Sequence, residues 1–299
     1  MLEIRYLIAN PVAGSGRVAR LLRPVLARLR ERGCEPKLWL TEGAGDACRH
    51  AQRIPSGADA GVFGGDGTLN EVVNGLRGRN CRVLLLPGGS GNDLARGLGM
   101  RMHPLELLSF PHWTERSIDL GEIAGRLFAN NAGVGLDGEV CRLIENCDWA
   151  FQGRLGYVRA TITCALNLKA TRMRIESDAV THEYEALMFT FANGEFYGRG
   201  MRIAPRARPD DGELDACAVL RVGRFDLLTA FPRVYAGKHV GHPAFRLWRA
   251  RSLTLSGVRP LSLHADGEIV GRLSTNPCAP TMVHIAPDQQ RFLVPLSHA

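Results

Sequence analysis

The chain has 299 residues, 45% hydrophobic and 22% charged, a globular composition that excludes long disordered stretches. Its 37 Lys and Arg against 30 Asp and Glu give a formal charge of +7, which favours anionic partners such as nucleotide phosphates, acidic lipid or nucleic acid without choosing among them. No run approaches the roughly 18–20 apolar residues of a membrane-spanning helix. Residues 1–9 read as a buried strand rather than a signal peptide, because a charge flanks the middle on either side and no small-residue cleavage site follows. The eight cysteines are scattered without a C-x-x-C pair, so reduced thiols are expected and zinc is not. These features predict a soluble, cytoplasmic protein. Only three of the basic residues are lysines, a bias that a GC-rich genome explains without reference to function.

The first hundred residues alternate strand and helix. A short apolar run over 3–9 precedes a helix over 17–32, whose Val18, Leu21, Leu22, Val25, Leu26 and Leu29 recur at helical spacing up to Gly33. Strands follow at 37–40, 60–63 and 82–86, with helices at 46–53, 69–76 and 93–98. This alternation predicts right-handed crossovers and a parallel sheet covered by helices on both faces. The pattern then changes. Strands are predicted at 116–123, 126–131, 172–177, 184–192, 213–222, 252–256, 262–265 and 281–285, with helices only near 138–145, 155–168 and 225–235. That is a mainly antiparallel β domain. The boundary falls near residue 115, giving domains 1–115 and 116–299.

Ligands of open α/β sheets bind beyond the carboxyl ends of the strands. Three consecutive loops in that position are rich in glycine: Asn10-Pro11-Val12-Ala13-Gly14-Ser15-Gly16, Gly64-Gly65-Asp66-Gly67-Thr68-Leu69-Asn70-Glu71 and Leu86-Pro87-Gly88-Gly89-Ser90-Gly91-Asn92-Asp93. Glycine lets the backbone approach a phosphate, and helix N-termini present unpaired N–H groups. One such loop could be a tight turn; three on one sheet edge point to phosphate. No G-x-x-x-x-G-K-[ST] and no supported G-x-G-x-x-G occurs, which argues against a P-loop NTPase and a dinucleotide site.

Asp66 and Asp93 would lie within reach of bound phosphates, where a carboxylate is repelled unless Mg²⁺ intervenes. Helix capping accounts for either residue alone, though not for both inside glycine loops. Ala265-Asp266-Gly267-Glu268 reads first as a hairpin turn. Either of its carboxylates could also take a proton from an attacking hydroxyl. Pro209-Asp210-Asp211-Gly212 is open between a turn and a cation loop.

Taken together, Asn10-Pro11…Gly14…Gly16, Gly64-Gly65-Asp66-Gly67-Thr68, Pro87-Gly88-Gly89-Ser90-Gly91-Asn92-Asp93 and the late Asp266-Gly267-Glu268 resemble the diacylglycerol kinase catalytic domain family. That family includes bacterial lipid kinases and the sphingosine and ceramide kinases. Asn130-Asn131-Ala132-Gly133, Tyr197-Gly198…Gly200-Met201 and Asp210-Asp211-Gly212…Leu214-Asp215 extend the match over nearly the whole chain.

The resemblance implies an α/β nucleotide-binding domain of NAD kinase/diacylglycerol kinase type followed by an antiparallel β-sandwich domain, with ATP and lipid meeting in the cleft between them. The extreme C-terminus could pack back on the first domain. By the same resemblance, Asn10, Thr41, Gly64, Gly65, Asp66, Gly67, Thr68, Asn70, Glu71, Gly89, Ser90 and Asn92 would contact ATP. Asp66 and Asp93 would organise Mg²⁺, with Asp137 and Glu268 extending a water network. Asp266 would be the general base, with Glu268 competing for the role. A structural cation would be held by Asp211 and the backbone carbonyls of Arg208 and Glu213. Ser90 stands where many members have Thr, which keeps the hydroxyl. Residues 140–200 carry no motif that names a lipid.

The leading expectation is therefore an ATP-dependent lipid kinase that visits anionic membrane through its surplus arginines. A homodimer is compatible with this reading. A soluble acceptor, as in NAD kinases, and a non-catalytic nucleotide- or lipid-binding regulator are the alternatives. Nucleic-acid binding ranks low because the arginines lack aromatic interleaving.

Overall fold

The computed structural model describes residues 2–145, 153–177, 181–221, 223, 226 and 232–296. The chain divides into two compact units, Met1–Ile118 with Asp288–Ala299, and Asp119–Pro287.

In the first unit, β1 (Ile4–Ala9), β2 (Lys37–Leu40), β3 (Asp59–Gly64) and β4 (Arg82–Pro87) form a parallel sheet in the order β4-β3-β1-β2. The late strand β15 (Thr281–Pro295) adds Arg291 and Phe292 in parallel beside Arg82 and Val83 of β4. β3 is buried throughout and β4 almost so, as expected for inner strands covered on both faces, whereas the edge strand β2 is half exposed. Right-handed crossovers in this order put α1 (Ala13–Glu31) on one face and both α2 (Asp46–Ala51) and α3 (Asp66–Gly75) on the other. The packing agrees: α2 lies against α3, while α1 meets α5 (Pro104–Leu107). The short α4 (Asp93–Gly97) follows β4.

The second unit is antiparallel. It contains β6 (Arg126–Phe128), β7 (Asn131–Gly135), α6 (Leu136–Glu145), α7 (Gly153–Asn167), β8 (Thr171–Glu176) and β9 (Thr181–Ala192). After these come β10 (Leu214–Leu220), β11 (Phe245–Ala250), β12 (Ser252–Gly257), β13 (Ser262–Ala265) and β14 (Glu268–Arg272). The order runs β14-β13-β7-β9-β8-β12-β15, and β10 pairs with both β9 and β11. Strand periodicity divides the side chains between two cores. Phe189, Phe191, Ala216 and Ala218 enter one; Met188, Ala192, Cys217 and Val219 enter the other, with Leu136, Val140 and Ala160 of α6 and α7. Two buried faces explain why β10 is almost wholly apolar.

Several boundaries differ from the sequence expectation. The strand predicted over 126–131 breaks into β6 and β7 because the amides of Ala129, Asn130 and Asn131 turn onto the Asp266 carboxylate. The last strand, predicted to end at 285, continues to Pro295 through Pro287 and Asp288. β11 was not predicted, since Arg246 and Arg249 interrupt its apolar pattern. Of the helix predicted at 225–235, most lies outside the described residues, and 232–235 are helical. β5 (Trp113–Ile123) begins three residues earlier than predicted.

Candidate active site

The three glycine loops of the first unit touch one another through their backbones. The Gly88 and Gly89 amides both donate to the Gly64 carbonyl, at 2.7 and 3.0 Å. A Cβ on Gly89 would lie 2.5 Å from the Gly65 Cα, and one on Gly14 would lie 2.2 Å from the Gly88 carbonyl oxygen. The first loop turns through three successive left-handed residues, Gly14, Ser15 and Gly16, before regular helix begins. Asn92 is also left-handed, and its side-chain amide both accepts from and donates to the Gly89 backbone, at 2.9 and 2.8 Å.

Asp66 and Asp93 meet here. An Asp66 carboxylate oxygen accepts the Asp93 amide at 2.8 Å, tying the start of α3 to the start of α4. The N-cap residue of α3 is the extended Gly65, which brings no side chain to cap the helix. Asn10 donates to the Thr68 hydroxyl at 3.0 Å and accepts from the Val12 amide at 3.2 Å. Its side chain fixes the loops to each other.

Three other expected nucleotide contacts also make bonds within the fold. The Glu71 carboxylate accepts the Gly45, Ala47 and Cys48 amides and so caps α2. Asn70 is fully buried and bonded by Asn74, while the Thr41 amide extends the β1–β2 ladder to Ala9.

Ser90 is exposed and borders an open cleft of about 780 Å³ lined by Gly91, Asn92, Arg17, Arg20, Arg101 and His103. This basic lining was not singled out from sequence. Arg17 and Arg20 lie one helical turn apart, a signal that was available; Arg101 gave none.

In the second unit, Asp266 and Gly267 both have positive φ and form a two-residue hairpin turn between β13 and β14, with Ala265 opposite Glu268. The Asp266 carboxylate accepts three amides, from Ala129 at 2.8 Å and from Asn130 and Asn131 at 2.9 Å each. Through these three bonds Asp266 acts as a clamp on the turn. Glu268 is paired with Arg126 at 2.6 Å and remains partly exposed.

Asp137, expected in the Mg²⁺ network, is instead enclosed within the second unit, 4% exposed. It accepts from the Thr190 hydroxyl at 2.8 Å and the Gly138 amide at 2.9 Å, and lies 3.0 Å from His264 Nε2. At the loop where a structural cation is expected, the Asp211 carboxylate pairs with Arg249, which also reaches Glu213 at 3.0 Å and Asp215 at 3.8 Å. Among the described residues no group of three or more His, Cys, Asp or Glu side chains could hold a metal. Burial pushes the Asp215 carboxyl up to about 6, against the pull of Arg249.

A narrow cavity in the same unit is lined by Leu136, Val140, Met188, Val219, Val234 and Phe245, with Asp137 at its wall. Its surface is overwhelmingly apolar.

Two family models cover the chain: "diacylglycerol kinase catalytic domain" matches residues 5–123, and "YegS C-terminal NAD kinase beta sandwich-like domain" matches 130–289. A diacylglycerol kinase of Staphylococcus haemolyticus is 30% identical over 284 residues, covering 92% of this chain and 85% of the relative. One of Staphylococcus saprophyticus is 30% identical over 277 residues, 90% of each. The crystal structure of a putative diacylglycerol kinase from Bacillus anthracis superposes with a TM-score of 0.77 at 26% identity, covering 98% of this chain and 97% of that one.

Proposed function

The chain belongs to the diacylglycerol kinase family, and from that premise we propose that it transfers the γ-phosphate of ATP to the hydroxyl of a lipid alcohol, diacylglycerol or a related glycerolipid or sphingoid lipid. The observation that carries this reading is the convergence of three glycine loops around paired Asp66 and Asp93.

The residues fit the groups this chemistry needs. Mg²⁺ is commonly held by one or two carboxylates, with phosphate oxygens and water completing its shell. Asp66, which begins α3, and Asp93, which begins α4, would supply that pair. When bound, ATP provides the phosphoryl group and Mg²⁺ neutralises its charge. The α3 amides and the Gly88–Gly89 backbone, close-packed because no Cβ intervenes, hold the phosphates in place. Glu268 takes the proton of the attacking hydroxyl, and Arg126 orients its carboxylate. Asp266 holds the turn.

A lipid rather than a soluble acceptor is supported by the family itself, whose relatives at 30% identity are named diacylglycerol kinases. No described helix is long and apolar enough to cross a membrane. Reversible contact with an anionic bilayer is part of the same proposal, with Arg17, Arg20 and Arg101 offering the charge.

The test is label transfer from γ-labelled ATP, in mixed micelles with and without anionic lipid. The acceptors are diacylglycerol, monoacylglycerol, sphingosine, ceramide, phosphatidylglycerol, polyprenol and NAD. Label in a lipid supports the reading; label in NAD alone overturns it.

A further inference from the structure

The segment that binds the Asp266 carboxylate is gripped from its other side as well. Between β6 and β7, Ala129, Asn130 and Asn131 present three backbone amides and three carbonyls. All three amides donate to Asp266. Of the carbonyls, that of Asn131 accepts the Asp266 amide at 2.8 Å, and those of Ala129 and Asn130 both accept from Asn193, the residue after β9.

Asn193 is fully buried. Its side-chain NH₂ donates to the Ala129 carbonyl and to the Asp119 carbonyl of β5, at 2.8 Å each. Its backbone amide donates to the Asn130 carbonyl at 2.8 Å, joined there by the Gly194 amide at 3.1 Å. Asp119 is itself anchored: its amide donates to the Pro209 carbonyl at 2.6 Å, and its carboxylate accepts the Gly212 amide at 2.7 Å. Turning the Asn193 side chain over would set its oxygen against two carbonyl oxygens, so the orientation follows from the partners. The oxygen meets no protein donor among the described residues. An apolar side chain would leave no such acceptor unsatisfied, so packing does not account for an asparagine here. What it supplies is two donors.

We propose that Asn193 is a positioning residue for proton transfer: by holding segment 129–131 at its carbonyls, it keeps the three amides converging on Asp266, and the Asp266–Gly267 turn then fixes Glu268. A three-residue connection can aim every amide at one carboxylate only while it keeps one curvature. The carbonyl-side bonds from Asn193 maintain that curvature. The functional half of this inference rests on the reading of Glu268 as proton acceptor.

Amide hydrogen exchange and steady-state kinetics with diacylglycerol in mixed micelles, both on the full chain, test it. In the wild type the protection factors of the Ala129, Asn130, Asn131 and Asn193 amides should agree within about tenfold, as parts of one unit. In Asn193→Ala, exchange at 129–131 should accelerate by about tenfold or more beyond any change at Ala216 and Ala218 in β10. There kcat should fall by about tenfold or more while KM for ATP stays within about twofold. Asn193→Ser, which keeps one donor, should show smaller changes in the same direction and serves if Asn193→Ala does not fold. Asn193→Ala combined with Asp266→Asn should turn over within about threefold of Asp266→Asn alone, because both changes release the same segment.

Wild-type protection at 129–131 in a folded Asn193 variant would overturn the carbonyl-side restraint, as would unrelated protection factors in the wild type. Losses that multiply in the double variant would place the action of Asn193 elsewhere and overturn the positioning role. So would wild-type kcat in a folded Asn193→Ala while Glu268→Gln is impaired. If Glu268→Gln itself keeps wild-type kcat, the proton-acceptor reading falls, and exchange alone judges the restraint.

Discussion

The Cα of Gly65 and the backbone of Gly89 lie so close that a Cβ on residue 89 would sit 2.5 Å from the Gly65 Cα. Two loops separated in sequence by strand β4 and helix α3 are therefore locked by glycine against glycine. The same Cβ would also come within 2.9 Å of the Asn92 side-chain oxygen. The amides proposed to bind phosphate on both loops depend on this approach.

Gly89→Ala should therefore displace the loops, lowering turnover by about 10²-fold, the scale of a misplacement near 1 Å. Gly97→Ala is the control. It lies in α4 with nothing near the added Cβ, so it should leave turnover unchanged and stabilise the fold by about 0.5–1 kcal/mol. Steady-state rates and thermal melts of the two variants decide.

Asp66→Asn keeps an oxygen that can accept the Asp93 amide, so the α3–α4 tie survives. The negative charge does not. Turnover should fall by about 10²-fold or more, with the melting temperature nearly unchanged. Equal loss of both would assign Asp66 to structure alone.

Asp266 and Glu268 should separate in stability. Asp266→Asn leaves one oxygen and one NH₂ to meet three backbone donors, a loss of about 1–3 kcal/mol. Glu268→Gln gives up a partly exposed ion pair with Arg126 and should cost less than about 1 kcal/mol. Denaturant titration of both variants measures the difference.

Asp215 sets a pH dependence of stability. Its folded carboxyl titrates near 6 because burial disfavours the charge, above its ordinary value of 3.8. Between those values the folded chain holds a proton that the unfolded chain has released, so stability falls as pH rises through about 4 to 6 and stays lower above that, by at most about 3 kcal/mol. Asp215→Asn should melt higher than the parent at pH 8, and the two should converge near pH 4. A constant difference across that range would assign the effect elsewhere.

Much of the first unit could be read from sequence because its inner strands are short apolar runs and its helices begin at glycine loops. Gly64 to Thr68 and Pro87 to Asp93 announced the strand–loop–helix elements. Three-dimensional partners could not be read in the same way. Glu71 looks like part of the phosphate loop in sequence, yet it caps α2 through residues some two dozen positions earlier. Asp137 and Asp211 sit in motifs that suggest cations, but His264 and Arg249 reach them from distant strands. Asp266 and Glu268 are two residues apart and carry the same charge. Only the fold distinguishes a carboxylate clamped by three amides from one that stays accessible.

The most direct test is the rate of phosphate transfer from ATP to diacylglycerol in mixed micelles, measured for the wild type and Glu268→Gln at saturating ATP. Labelled phosphatidic acid from the wild type, with a fall of about 10²-fold or more in the variant, is the predicted result. No lipid product from the folded wild type, or an undiminished rate in Glu268→Gln, would contradict it.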